Sequence, residues 1–372
     1  MNVPLLDLKA QHGAIRDAVV PRLMELAESQ QFILGKPVQE LETRIAELSR
    51  ARFGVGVASG TDALLVPLKA LDLKPGDEVI TTPFTFFATA GAIHNAGGTP
   101  VFVDVEPRTW NSDPAAVEAA ITPRTRAIMP VHLFGQMAAM ERLLPLAERH
   151  GVPLVEDAAQ AIGARRKVGG QWRMAGELGA VTGFSFFPSK NLGGWGDGGM
   201  VVANDQAMAD RVRSLRTHGG ARQYYHDEVG INSRLDALQA VVLLAKLPYL
   251  ASWSAARRAN AGRYARMLGG LSAVCPPVTD PANEHIFHQY VIECDRRDEL
   301  LAHLKAKDIG CAVYYPLALH LQPCFRFLGY KPGAFPVAEA ATGRVLALPV
   351  YPELTEAQQQ YVVDSIRGFY GK

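Results

Sequence analysis

An α/β fold with a mostly parallel central sheet, followed by a smaller α+β domain, is what this chain of 372 residues predicts. Three observations carry the prediction. Short, continuously apolar runs alternate with helix-like stretches as far as about residue 250, and beyond that point the alternation changes. Between two of the apolar runs lies a glycine-rich loop with one lysine, "SFFPSKNLGGWGDGGMV". Apolar runs separated by helices mark strands covered on both faces, as in a parallel sheet with crossover helices. The length suits one large and one small domain.

The elements follow in order. "FGVGVAS" (53–59) reads as a strand entering the helix "GTDALLVPLKALDL", and "DEVITTP" (77–83) as a strand entering "FTFFATAGAIHNAGG". Next come the strand-like runs "TPVFVDV" (99–105), "TRAIMPVHLFG" (125–135) and "VPLVEDAAQ" (152–160), with the helix "MAAMERLLPLAERHG" before the last. Two further strands, over roughly 180–187 and 199–203, flank the lysine loop. A helical region over roughly 233–268 bridges to a different pattern. There "HQYVIEC" (288–294) and "CAVYY" (311–315) read as strands around the helix "RRDELLAHLKAKDIG", and a last helix starts near 355. The expected division is a large domain over 1–250, including the N-terminal segment, and a smaller one over 251–372.

Composition narrows the functional classes. A formal net charge of +1, with no basic block, leaves no nucleic-acid footprint. The N-terminus "MNVPLLDLKAQHG" has no signal-peptide pattern, and no run of eighteen apolar residues predicts a membrane span. Four cysteines without CxxC spacing predict a reduced, cytoplasmic protein without structural zinc or any other metal.

Ligands of open α/β sheets gather at the carboxyl ends of the strands, and four groups fall there. Ser59, Gly60 and Thr61 of "ASGTDAL" turn a strand into a helix, where free N–H groups and the helix dipole suit a phosphate; a plain helix cap reads equally from the same residues. Asp157 of "VPLVEDAAQ" ends an apolar strand, with Gln160 three residues on. It is a buried carboxylate in need of a cationic partner, or else an ordinary turn former. Phe84, Phe86 and Phe87 offer flat faces to a heteroaromatic ring, or pack in the core. Lys190 follows the apolar strand "GAVTGFSFF". Desolvation there would lower its pKa and supply the neutral amine that a Schiff base with an aldehyde requires. Together the four describe a pyridoxal-phosphate pocket.

The chain resembles the DegT/StrS-type sugar aminotransferases, which are fold-type I pyridoxal-phosphate enzymes. The resemblance runs through "SGTDALL", "GDEVITTPFTFFATA", "VEDAAQAIGA", "FSFFPSKNLGGWGDGGMV", "GINSRLDALQAVVL", "YYPLALHLQPCF" and "LALPVYPELT", essentially the whole length. It implies that Lys190 carries pyridoxal 5'-phosphate covalently and moves the substrate proton. Asp157 would pair with the pyridine nitrogen, Gln160 would lie near the 3-hydroxyl, and Phe86 would stack on the ring. Gly60, Thr61 and Ser185 would hold the phosphate, completed by Asn232 of the neighbouring subunit in a homodimer with shared sites. L-Glutamate is the implied amino donor, pyridoxamine phosphate the intermediate form of the cofactor, and a nucleotide-linked keto-sugar the acceptor. The loop "KNLGGWGDGG" favours the branch aminating C3. His218, His288, Tyr315 and His320 are the candidates for contact with the sugar nucleotide. Rival readings are a C4 or cyclitol aminotransferase of the same fold, a non-catalytic regulatory relative, and a sulfur-transferring lyase. The absence of any cysteine before Cys275 weakens the last.

Overall fold

The computed structural model describes residues 1–371 apart from Ala221 and Gln223. In chain order the first strands are β1 (Phe53–Val57), β2 (Glu78–Thr81), β3 (Thr99–Phe102), β4 (Thr125–Ile128), β5 (Val155–Asp157), the β6–β7 hairpin (Arg165–Val168 and Gln171–Met174), β8 (Val181–Ser185) and β9 (Gly199–Ala203). Parallel bridges Ile128–Leu154 and Val131–Asp157 join β4 to β5. One sheet therefore runs in the order β3-β2-β4-β5-β8-β9-β1. Every pairing is parallel except those of β9, which runs against both β8 and β1.

Side chains that alternate along a strand serve two cores. On β9, Met200 and Val202 pack with Ile80, Phe184 and Phe186 on one face. Val201 and Ala203 pack with Val79, Val155 and Val181 on the other. Helices cover both faces: α1 (Leu8–Ser29), α2 (Lys36–Leu48), α3 (Asp62–Ala70), α4 (Ala88–Asn95), α5 (Pro114–Ala120), α6 (Met140–His150), α7 (Gln206–Leu215) and α8 (Ala237–Lys246). Helix α6 stops where Gly151 takes a left-handed conformation and its N–H caps the Ala147 carbonyl.

The reversal of β9 explains the glycine-rich loop. Ser185 at the end of β8 lies opposite Gly199 at the start of β9, so residues 186–198 leave and re-enter the sheet at the same edge. A Cβ at Gly199 would stand 2.3 Å from the Ser59 carbonyl oxygen, a separation only glycine allows.

Helix α9 (Leu250–Met267) leads to the C-terminal part. There β10 (Val274–Cys275), β12 (Tyr290–Cys294) and β13 (Val345–Leu348) form an antiparallel sheet, while β11 (Asn283–Glu284) pairs back onto β6. Helices α10 (Arg297–Ala306) and α12 (Glu356–Phe369) cover that sheet through Leu300, Leu304, Val362 and Ile366, and a Thr355–Gln358 capping box opens α12. Between them lies α11 (Pro336–Arg344). Val3 is buried in this C-terminal core and bridges to Ile309, so the first residues pack away from the large sheet.

Three departures from the sequence reading stand out. "CAVYY" is not a strand: one bridge, Ala312–Ala347, is its whole pairing, and the chain then turns to deliver Tyr315 elsewhere. Helix α11 and strand β13 have no counterpart in the reading, because "AEAATG" carries no apolar stripe to mark a helix. The helical region over 233–268 is two helices broken at Leu247–Tyr249 around Pro248. Among the described residues that stretch, Ala237–Met267, is the one long and apolar enough to cross a membrane, and 56% of its most apolar window is buried inside the chain. It is a core element here.

Candidate active site

The carboxyl ends of β1, β2, β5 and β8 open on one edge of the sheet, and most of the expected site residues stand there. At the end of β1 the Ser59 hydroxyl accepts the Asp62 amide at 3.1 Å, which caps α3. Among the described residues, no acceptor engages the amides of Gly60 and Thr61. They remain available at a helix N-terminus, where an anion is favoured. Gly60 is held against β8: a Cβ there would lie 2.5 Å from the Cβ of Ser185. That approach puts the Ser185 hydroxyl beside the free amides.

Asp157 ends β5 in a buried position. Its Oδ2 accepts the Thr89 hydroxyl at 2.7 Å and its Oδ1 accepts the Ala159 amide at 3.1 Å. Burial raises its pKa above the ordinary carboxylate value; the two hydrogen bonds and the charge of Lys190 pull the other way. Such a carboxyl is short of positive charge.

Lys190 follows β8 and is half-buried. Burial lowers its amine to about 8, opposed by Asp157. A substantial neutral fraction therefore exists near pH 8, as nucleophilic attack requires. The consequence is measurable: capture of a pyridoxal aldehyde by the apoprotein should accelerate with pH up to about 8 and then level off. An unperturbed lysine would keep gaining until about pH 10.4.

Around these groups the structure adds an aromatic wall. Gln160 Oε1 accepts the Phe134 amide at 2.7 Å, and its Nε2 donates to the Tyr315 hydroxyl at 2.8 Å. The Tyr315 ring lies parallel to Phe134, with Phe84 edge-on. Phe84 is buried, whereas Phe86 is 58% exposed and presents a free ring. Phe87 stacks on Phe325 instead.

His288 is buried, and desolvation, helped by the charges of Lys190 and Arg257, holds its pKa well below the ordinary histidine value. Its Nδ1 has no hydrogen-bond partner among the described residues. The other two histidines stand apart. His320, expected at the substrate, has a wholly buried side chain bonded to Glu339 and set edge-on to Phe335. His218 is exposed in the 217–232 segment beside His226. Asn232 is exposed and, among the described residues, bridges only to Thr217. Its neighbour Ser233 bonds Asp62 and the Ala58 amide at the base of the β1 turn.

Sequence reasoning missed two supports of Asp157. One is Thr89, whose hydroxyl faces a residue 68 positions away. The other is the wholly buried pair His132–Glu156, 2.6 Å apart, in which Glu156 also accepts the Gly179 amide and the Thr182 hydroxyl. The His132 amide donates to the Asp157 carbonyl at 2.9 Å, tying the pair to the strand end. Asp157 adjoining a second acidic residue, Glu156, was the visible hint. Among the described residues no cluster of His, Cys, Asp or Glu could hold a metal ion.

A lysine with a lowered pKa, a buried carboxyl short of positive charge and a free helix N-terminus define a class, the pyridoxal-phosphate-dependent aminotransferases. The DegT/DnrJ/EryC1/StrS aminotransferase family model matches residues 14–367, and the chain belongs to that family. It is 52% identical to the "pleiotropic regulatory protein" of Geobacillus stearothermophilus over 100% of this chain and 99% of that one. It is 46% identical to a UDP-N-acetyl-3-dehydro-α-D-glucosamine 3-aminotransferase of Acidithiobacillus ferrooxidans, covering 98% and 97% of the two chains. The fold matches DesV of Streptomyces venezuelae, solved in complex with a ketimine intermediate, with a TM-score of 0.96, 41% identity and coverage of 100% and 99%.

The residues present fit pyridoxal 5'-phosphate. Gly60 leaves a cradle that a side chain would fill, and its free amides and Ser185 suit the phosphate. Asp157 suits a protonated ring nitrogen, and Phe86 has an uncovered face. Gly60→Ala should push Ser185 out of place and weaken cofactor binding by at least about tenfold, as one lost charge-assisted contact predicts; titration of the apoprotein with cofactor, followed by absorbance, checks it.

Proposed function

We propose that this enzyme transfers the amino group of L-glutamate to C3 of a nucleotide-linked 3-keto-sugar, UDP- or dTDP-linked, in the cytoplasm. The observation that carries the reading is the placement of Lys190 beside a buried, hydrogen-bonded Asp157 at one sheet edge. Identity to a named 3-aminotransferase over nearly the full length supports C3 over C4 and over a cyclitol. The retained Lys190, Asp157, Gln160 and Ser185 argue against a purely regulatory role. A protein without turnover has no use for a desolvated lysine in the field of a buried carboxyl. The decisive experiment is turnover of a panel of nucleotide-linked keto-sugars with L-glutamate, with product regiochemistry read by NMR. An amine at C4, or no turnover of any sugar nucleotide, would overturn the reading.

Bound here, the cofactor supplies an electron sink for the carbanion formed at the reacting carbon. The protein does the rest. Gly60 and Thr61 amides with the Ser185 hydroxyl would anchor the phosphate, and Phe86 would cover one face of the ring. Asp157, kept in place by Thr89 and Ala159, would hold a proton on the ring nitrogen. The amine of Lys190 would take the proton from the carbon that loses it and deliver it, on the same face, to the carbon that gains it. Positioned proton transfer of this kind contributes roughly 10²–10⁴-fold.

The acceptor is expected to be a neutral hexose. Glu228 is neutralised by Arg211, and Arg216 is committed to Glu42 and the Gly56 carbonyl. Neither of these arginines is free to form the bidentate pair a uronate needs, and Arg222, the other arginine near the expected shared site, lies with its guanidinium over the Tyr225 ring, 4.7 Å from the centroid. Competition between a neutral 3-keto-hexose and a 3-keto-uronate should favour the former; preference for the uronate would refute this.

The working unit is read as a homodimer in which Asn232 completes the partner's phosphate site, and each chain as a large domain over 1–250 with a smaller one over 251–372, onto whose core the first residues fold. Asn232 is exposed and spends no side-chain hydrogen bond among the described residues, which leaves it available to a second chain. Mixing inactive Lys190→Ala and Asn232→Ala proteins should restore activity through hybrid dimers. A fully active monomer would exclude shared sites.

A further inference from the structure

Next to Asp157 on β5 stands a second carboxyl, Glu156, wholly buried and directed to the opposite face of the strand. Its two oxygens tie β5 to the chain on either side. Oε2 accepts from the His132 ring, just past β4, at 2.6 Å. Oε1 accepts the Gly179 amide at 2.5 Å and the Thr182 hydroxyl of β8 at 3.2 Å. A Cβ at Gly179 would lie 2.7 Å from that oxygen, so glycine is what lets the amide approach. His132 Nδ1 faces the Ala138 amide at 3.1 Å and can only accept from it. That leaves one ring proton, on Nε2 toward Glu156, and the imidazole is neutral. Every group at the Glu156 carboxyl is therefore a donor. The carboxyl accepts throughout and carries a charge that, among the described residues, no cation offsets.

We propose that Glu156 is a fixed buried anion whose field, added to that of Asp157, keeps the proton on the cofactor's ring nitrogen, and that His132 is the neutral positioning residue that holds both in place. The inference rests on the reading of Asp157 as the partner of that nitrogen. Successive Cα atoms stand about 3.8 Å apart, so the two carboxyl groups lie within roughly 10 Å of one another. A unit charge at that range in a protein interior moves a neighbouring titration by on the order of one pH unit. A cationic histidine between the strands would cancel this field, and the Ala138 amide at Nδ1 forbids one. The other titratable groups in the field of Asp157 are Lys190 and Tyr315. Burial keeps Tyr315 un-ionised, so Lys190 is the group that opposes the two carboxylates. The main chain completes the clamp: the His132 amide donates to the Asp157 carbonyl and the Asp157 amide to the Pro130 carbonyl, both at 2.9 Å. Through Ala138 the same histidine pins the loop that carries Phe134, whose amide bonds Gln160.

The test reads the ring nitrogen itself, by nitrogen NMR of enzyme loaded with isotope-labelled pyridoxal phosphate and titrated with pH. Glu156→Gln should lower the pH at which that nitrogen loses its proton by on the order of one unit. His132→Gln, which retains a side-chain N–H for Glu156, should leave that pH near the wild-type value. In the wild-type apoprotein, nitrogen NMR of labelled histidine should show His132 neutral and protonated at Nε2 alone, its signals being those missing from His132→Gln. A cationic His132, or a Glu156→Gln holoenzyme whose ring nitrogen titrates as in the wild type, overturns the inference. Should Glu156→Gln fail to fold, the histidine spectrum decides. Asp157→Asn, measured alongside, separates the two readings. If it shifts the titration and Glu156→Gln does not, this inference falls alone. If neither variant shifts it, the reading of Asp157 falls as well.

Discussion

Lys190→Ala should lose the borohydride-reducible link to pyridoxal phosphate and lower turnover by roughly 10⁴-fold, the upper range for removing a positioned proton-transfer group that is also the attachment point. No second amine stands ready to replace it. Lys246, the other lysine with a lowered amine, is bonded to the Gly193 carbonyl on the far side of the loop. The variant should retain the fold, because Lys190 makes no ion pair at salt-bridge distance among the described residues, and its removal relieves a desolvation penalty. Circular dichroism and cofactor absorbance separate folding from chemistry. Wild-type-like turnover, or a reducible link that persists, would end the assignment of Lys190.

Asp157→Asn should lower the rate of the glutamate half-reaction by roughly 10²–10³-fold, the range for removing one group that stabilises developing charge in a dry site. The amide is nearly isosteric and can still meet the Thr89 hydroxyl and the Ala159 amide, so the packing around it is preserved. What it loses is the negative charge that keeps a ring nitrogen protonated. In the ligand-free chain burial raises the Asp157 pKa; a cationic ring beside it reverses that shift. Cofactor binding should therefore strengthen as pH rises through the ligand-free Asp157 pKa, as the carboxyl loses its proton, and Asp157→Asn should erase that dependence. Asp157→Glu should recover part of the rate. An asparagine variant with unchanged half-reaction kinetics and an unchanged pH profile would sink the role.

The fold was legible because its signals are local. The strand-like runs at 53–59, 77–83 and 152–160, each ending in a polar turn, predict buried strands whatever their order, and the strand ends marked Gly60, Asp157 and Lys190 without reference to neighbours. "CAVYY" failed for the opposite reason. Its β-branched and aromatic residues have strand propensity, yet Tyr315 is drawn to Gln160 and Phe134 across the molecule, and a side-chain contact at that range outweighs a local preference. His320 of "YYPLALHLQPCF" was a candidate for contact with the sugar nucleotide; only packing shows Glu339 and Phe335 enclosing it.

By itself the sequence determined the class of chemistry: a lysine after an apolar strand, an aspartate ending another, and a glycine turn that admits a phosphate. Each depends on residue type and on its place at a strand end, which hydrophobic periodicity reveals. Tertiary structure alone decided the company those residues keep. Thr89 behind Asp157, the buried His132–Glu156 pair beneath it and the Gln160–Tyr315 contact beside it join positions far apart in the chain. Contacts of that span are set by how helices pack on the sheet, and no local pattern along the chain encodes them.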